Sequence, residues 1–224
     1  MTDTERLSFE EVREAGPDDW RQIIGRLKAR YRTADFASGV ALVHEIGKVT
    51  DAGRRPEVVL TDADVVVALP GASDAGVTRT DLEAAARISE AAARLGASAD
   101  PGGITQLELG LDTTHGEELA PVYAALLGSE VVQGEPVDRT GQVPTLWWQG
   151  PPDGDAGPPL PEPTVPQRWH ADVWVATDEG ERRVAAVLEA GGRLVSDAAA
   201  PSYWVVEDAD GNRSCVCTVA DRGR

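Results

Sequence analysis

Apolar positions in this chain switch between helical and alternating spacing, and the switches outline two halves. In the first half, Leu7 to Ala15 reads as a short helix. Ser8 serves as its N-cap and Glu11 follows three residues on, the pattern of a capping box. Gly16-Pro17 ends it. Residues 20–32 alternate and predict two short strands. Asp35 caps a second helix running to Val49, with Phe36, Val40, Val43 and Ile46 along one face. Val65-Val66-Val67 predicts a buried strand. Thr80 caps a last helix, Asp81 to Leu95, that turns Ala85, Ile88 and Ala92 inward. Helices and antiparallel strands outside βαβ order predict an α+β sandwich.

Residues 96–103, Gly-Ala-Ser-Ala-Asp-Pro-Gly-Gly, are small, polar and turn-prone. They read as a linker, placed at 98–103 between domains at 1–97 and 104–224. The second half repeats one order of elements. Ile104 to Asp112 predicts a strand, Glu117 to Leu127 a helix ending at Gly128, and 129–133, 136–139 and 144–149 three short strands. The order recurs with a strand at Trp169 to Ala176, a helix at Glu179 to Ala190, and strands at 193–196, 201–206 and 213–219. Both halves are therefore α+β, and the second is a pair of βαβββ copies. Gly150 to Pro166 holds seven of the 15 prolines and reads as a stiff, extended connector with little capacity to form core.

Charge narrows the partners. The chain has 21 basic residues against 38 acidic ones, for a net charge of -17, and no basic run exceeds two. Nucleic acid and anionic membrane are excluded as expected partners, because both draw affinity from clustered Lys and Arg. No apolar run approaches a membrane span, and the acidic N-terminus lacks the apolar region of a secretory signal. Cys215 and Cys217 sit two apart on one face of a predicted strand, a poor geometry for bridging each other. A cytoplasmic location is the expectation.

Trp20 to Ala93 resembles pterin-4a-carbinolamine dehydratase. The resemblance rests on Phe36 leading a helix, Pro56-Glu57, Val65-Val67-Leu69, Gly76-Val77-Thr78 and Asp81. Such enzymes carry two histidines before the proline, a Tyr six residues after it and a His sixteen after it. Here those positions are Arg54, Arg55, Asp62 and Ala72. Dehydration needs a proton delivered to a leaving hydroxyl and one removed from a ring nitrogen, tasks that suit histidine. Arginine stays protonated and has no acceptor, and alanine transfers no proton. The dehydratase positions are thus degenerate and the catalytic residues unknown. Two readings of Arg54 and Arg55 stand side by side. They form surface ion pairs with Asp51 and Glu57, or their planar donors recognise an anionic or carbonyl-rich ligand. His44 lies mid-helix and reads as a packing or surface residue.

The second half resembles the glyoxalase-like, or vicinal-oxygen-chelate, family. The matching residues are Leu126-Leu127-Gly128, Ala190-Gly191-Gly192 and the turn Asp208 to Asn212. The resemblance implies a cup between the two copies, with metal ligands on the first and fourth strands of each. His170 fits one such position, Cys215 replaces a carboxylate, Gln149 lies near a third, and Thr105 or, with a shift of register, Glu108 lies near the fourth. One imidazole, one thiol and one amide make a poor catalytic set, so no metal and no cofactor are expected. Trp147, Trp148, Trp169, Trp174 and Trp204 fall in this half with Tyr123 and Tyr203. Trp147 and Trp148 must face opposite ways. Alternation places His170, Asp172 and Trp174 together on the concave side, with Cys215 and Cys217 completing the wall, for an uncharged or weakly polar aromatic-sized ligand. His115 is expected at an exposed helix entry.

The expected function is a cytoplasmic, two-domain small-molecule-binding protein that has lost the dehydratase histidines. Its ligand is pterin-like or aromatic, contacted by Arg54, Arg55, His170, Asp172, Trp174 and Cys215. One alternative is a lyase of the 4a-hydroxytetrahydrobiopterin dehydratase type with altered residues. Another is a dimerisation or regulatory partner, because members of the dehydratase family form dimers and act as protein cofactors.

Overall fold

The computed structural model describes residues 5–49, 56–70, 76–150, 158 and 160–221. The chain divides into two compact units, Met1–Ile104 and Thr105–Arg224. Arg54, Arg55 and Ala72 lie outside the described residues.

In the first unit, α1 (Phe9–Ala15) precedes β1 (Trp20–Ile23), β2 (Arg26–Arg32), α2 (Phe36–Val49), β3 (Glu57–Leu60), β4 (Asp64–Pro70) and α3 (Arg79–Arg94). The strands form an antiparallel sheet in the order β1-β2-β4-β3. Leu27, Ala29 and Tyr31 of β2 and Val65, Val67 and Leu69 of β4 alternate onto one face. There they pack with Leu42 and Ile46 of α2 and Ala85, Ile88 and Ala92 of α3. The Tyr31 hydroxyl, inside this core, lies 3.2 Å from both Asp19 Oδ2 and Ser89 Oγ.

Two helix details differ from the sequence reading. The buried side of α2 is Gly39, Leu42 and Ile46, whereas Phe36 and Val40 are exposed. Gly39 explains the rotation: a Cβ there would stand 2.5 Å from Leu60 Cδ1, so the helix rests on the sheet at its smallest residue. The N-cap of α3 is Thr78, not Thr80. Asp81 Oδ2 accepts from the Thr78 backbone N–H at 2.8 Å and from its hydroxyl at 2.7 Å, closing a buried capping box.

Residues 98–103 are not a free linker. β5 (Ser98–Ala99) pairs with Tyr31 and Arg32 of β2. Asp100 then forms ion pairs with Arg32 at 2.7 Å and Arg30 at 3.4 Å. Arg30 also bonds Asp64 at 2.9 Å, so the segment is anchored to the solvent face of the sheet.

The second unit carries the two expected copies. The first is β6 (Thr105–Asp112), α4 (Gly116–Leu127), β7 (Glu130–Val132), β8 (Glu135–Val137) and β9 (Thr145–Gln149). The second is β10 (Trp169–Val175), α5 (Gly180–Glu189), β11 (Arg193–Ser196), β12 (Tyr203–Glu207) and β13 (Arg213–Cys217). Among the described residues, six strands form one mixed sheet in the order β11-β12-β13-β10-β6-β9, while β7 and β8 pair only with each other. β6 and β10 run antiparallel at the seam, and each pairs in parallel with the last strand of its own copy. One sheet face is apolar: Val173 and Val175, Trp204 and Val206, and Val216 pack with Val184 of α5. The other face forms a cup. Among the described residues, no helix is long and apolar enough to cross a membrane.

The two capping boxes separate burial from local bonding. Asp81→Ala should lower the stability of the first unit by about 1–3 kcal/mol, because it leaves a buried N–H and hydroxyl short of an acceptor. Glu11→Ala, at the exposed box of α1, should cost less than about 1 kcal/mol, because water replaces the lost acceptor. Urea denaturation followed by far-ultraviolet circular dichroism measures both; equal costs would contradict the account.

Candidate functional site

The cup holds a cavity of about 620 Å³. Strand parity decides what lines it. On β6, Leu107, Leu109 and Leu111 alternate with Gln106, Glu108, Gly110 and Asp112. Glu108 and Asp112 face the cavity. On β10, His170, Asp172 and Trp174 line it, together with Trp169 at the rim. Cys215 and Cys217 of β13, Tyr203 and Val205 of β12, and Trp147 and Gln149 of β9 complete the walls. The structure therefore brings His170, Asp172, Trp174 and Cys215 to one cavity.

His170 is held against the seam by a missing side chain. Its register partner is Gly110, where a Cβ would lie 2.5 Å from His170 Nε2 and Cε1. The imidazole stands edge-on to Trp147, with centroids 5.6 Å apart and planes at 88°. Nε2 lies 3.7 Å from Asp172 Oδ1 and Nδ1 lies 3.9 Å from Asp112 Oδ1. Both separations exceed a direct hydrogen bond, so the carboxylates flank the ring electrostatically.

Glu108 is the residue at which the two ligand positions weighed for the first strand resolve. It faces the cavity, whereas Thr105 lies within 3.4 Å of the Arg183 guanidinium of α5. Gln106 Nε2 donates to Glu108 Oε1 at 3.1 Å, and Trp174 Nε1 donates to Oε2 at 3.0 Å. Burial pushes this carboxyl above the ordinary carboxylate range; the two N–H bonds pull it down, and the charges of Asp172 and Glu135 push it further up. The alternation Gln106-Leu107-Glu108-Leu109 carried the signal, since its apolar phase marks the side opposite the cup.

The indoles divide between the faces. Trp147 and Trp174 line the cavity. Trp148 lies on the other side, where its Nε1 donates to Gly134 O at 2.8 Å and its ring packs 5.6 Å from Tyr123. Trp204 belongs to the core beneath α5. His115 is exposed at the start of α4, as expected.

The proline-rich connector forms part of the wall, contrary to its reading as a spacer alone. Pro158, Leu160 and Pro163 line the cavity. Arg213 Nη1 donates to Pro161 O at 2.7 Å and Nη2 to Glu162 O at 3.0 Å. The Gln167 side chain donates to Trp169 O and Arg213 O and accepts from Arg213 N, bridging the ends of β10 and β13.

The first unit offers less. Asp62 is exposed between β3 and β4. Glu57, considered as a partner for Arg54 or Arg55, pairs with Arg26 at 2.5 Å. In the cup, no group of three or more His, Cys, Asp or Glu side chains among the described residues is arranged to hold a metal ion. Trp147 and Cys215 stand on the closing strands, and these residues do not fit the metal that the glyoxalase resemblance implies.

Residues 108–217 match the family model of the glyoxalase-like domain, and residues 5–91 match that of pterin 4 alpha carbinolamine dehydratase. Proteins from two strains of Halobacterium salinarum, each named "Putative pterin-4-alpha-carbinolamine dehydratase", are 28% identical over 88 residues, covering 39% of this chain and 97% of theirs. A crystal structure of a "transcriptional coactivator/pterin dehydratase" from Brucella melitensis is 24% identical, covers 39% of this chain and 99% of its own, and superposes with a TM-score of 0.35. The chain is a two-domain protein in which a pterin-dehydratase-like domain precedes a glyoxalase-like domain.

The Glu108 carboxyl gives a pH signature. Its folded-state value lies above its unfolded one, so the folded protein binds more protons and loses stability as pH rises between the two. Glu108→Gln keeps an acceptor for Trp174 and removes the buried charge. It should raise the thermal midpoint at neutral pH and change it little near pH ~4, where the wild-type carboxyl is largely protonated in both states. Melts at the two pH values test this; a gain confined to acid pH would reverse the sign and refute it.

Proposed function

We propose that this protein binds a small aromatic or pterin-like molecule in the cup of its glyoxalase-like domain and does not act as a carbinolamine dehydratase. The observation that carries the reading is the cavity of about 620 Å³ that gathers His170, Asp172, Trp174 and Cys215. Its size and mixture of ring faces with a few polar groups suit a small-molecule site. The degenerate positions Arg54, Arg55, Asp62 and Ala72 argue against proton transfer in the first domain, since no histidine stands at any of them. We place the protein in the cytoplasm on the strength of its two cysteines, too few for a disulfide framework.

A lyase of the carbinolamine-dehydratase type is the competing reading, favoured by the name of the Halobacterium relatives, which this chain covers over 97% of their length. A coupled dehydratase assay decides between them. The wild type should give no turnover above the uncatalysed rate, and efficient turnover would overturn the proposal. In calorimetric titrations with flat bicyclic heterocycles, His170→Ala and Trp174→Ala should each weaken binding at least about tenfold. Binding indifferent to both variants would move the ligand elsewhere.

A further inference from the structure

The seam of the cup pairs two carboxyl groups. Glu108 and Asp172 are register partners on β6 and β10, and both line the cavity. Directly opposed residues of an antiparallel pair have their Cβ atoms roughly 5 Å apart. Asp172 is only 7% exposed. Each Glu108 oxygen accepts one N–H, from Gln106 or Trp174, and a carboxylate oxygen has a second acceptor site. Both donors are neutral, and no Lys or Arg among the described residues forms an ion pair with Glu108. Of the arginines that line the cavity, Arg213 donates through Nη1 to Pro161 O and through Nη2 to Glu162 O, with its Nε 3.8 Å from Glu207 Oε2, and Arg168 donates to Asp112 O. The floor therefore presents acceptors.

The walls supply ring faces and donors, Trp147 Nε1 among them. Trp147, Trp174 and Tyr203 line the cavity. Trp147 Nε1 is buried with no hydrogen-bond partner among the described residues. A buried N–H without an acceptor is costly, and a ligand that supplies the acceptor recovers that cost. Burial likewise holds the Glu108 carboxyl above its ordinary range, a penalty that N–H donors from a ligand would relieve.

Resting on the cup as the ligand site, we infer that its ligand is a flat, amino-substituted nitrogen heterocycle whose adjacent N–H groups donate to Glu108 and Asp172 and whose ring nitrogen or carbonyl oxygen accepts from Trp147 Nε1. The same floor rejects aromatic carboxylates, because a third negative charge would meet Glu108 and Asp172 in a poorly solvated site. Selectivity lies in the amino edge, since a site built around hydrogen bonds discriminates strongly against an analogue that leaves its polar groups unpaired.

The test is calorimetric titration of the full chain with three probes of similar size: aminoquinazolinone with its amino group between the two ring nitrogens, quinazolinone without it, and naphthoate. Aminoquinazolinone should bind one per chain, at least about tenfold tighter than quinazolinone, and naphthoate should not compete. Glu108→Gln and Asp172→Asn should each reduce that preference about tenfold or more. Trp147→Phe, which keeps a ring and removes the N–H, should weaken both quinazolinones alike. Cys215→Phe, which fills the cavity, should block all binding. Equal affinity for the two quinazolinones, or tighter binding of naphthoate, overturns this inference while leaving the cup as the ligand site, provided Cys215→Phe still blocks. Failure of all three probes, or binding that survives Cys215→Phe, overturns both readings.

Discussion

The antiparallel pairing of β6 with β10 is the constraint on which the second domain depends. Each strand also pairs in parallel with the closing strand of its own copy, so this one ladder joins two otherwise separate sheets. Its register sets Gly110 against His170 and Glu108 against Asp172. A slip of one residue would turn Leu107 and Leu109 into the cup and carry Glu108 beneath the helices. Fold and site are therefore fixed together: the apolar phase that buries Val173 and Val175 also aims His170, Asp172 and Trp174 into the cavity.

Much of this was legible because strand parity leaves little freedom. The order of elements in the second half, the split of Trp147 from Trp148, and the grouping of His170, Asp172 and Trp174 follow from periodicity and from counting alternate residues, whereas the short strands β3 and β5 of the first half were not foreseen. Glu108 was weighed only as the position a shift of register would reach, because the family frame fell on Thr105. The leucines at 107, 109 and 111 would have corrected the count. The stripe on α2 was misread for another reason. Phe36 and Val40 are more apolar than Gly39, yet close approach to Leu60 favours the residue with no side chain. Hydrophobicity alone cannot report that distance. On α3, two threonines two residues apart compete for the cap, and the spacing to Asp81 selects Thr78.

The two domains use charge differently. On the first, Arg26, Arg30 and Arg32 of one strand meet Glu57, Asp64 and Asp100 across the solvent face of the sheet. Such exposed pairs contribute little stability individually, and here they chiefly fix where residues 98–103 run. In the second, Glu108 and Asp172 sit in a partly dry floor, where each charge carries a larger electrostatic penalty. Within the protein, Gln106 and Trp174 donate to Glu108, and His170 stands 3.7 Å from Asp172.

Arg213 gives the cup an adjustable dimension. Its guanidinium joins β13 to the carbonyls of Pro161 and Glu162, and the connector next to those carbonyls contributes Leu160 and Pro163 to the cavity. The sheet side of the cup is braced by continuous ladders; the connector side is held by side-chain bonds. The width of the cavity on that side thus depends on a few side-chain bonds centred on Arg213 and Gln167, whereas its sheet side depends on backbone ladders.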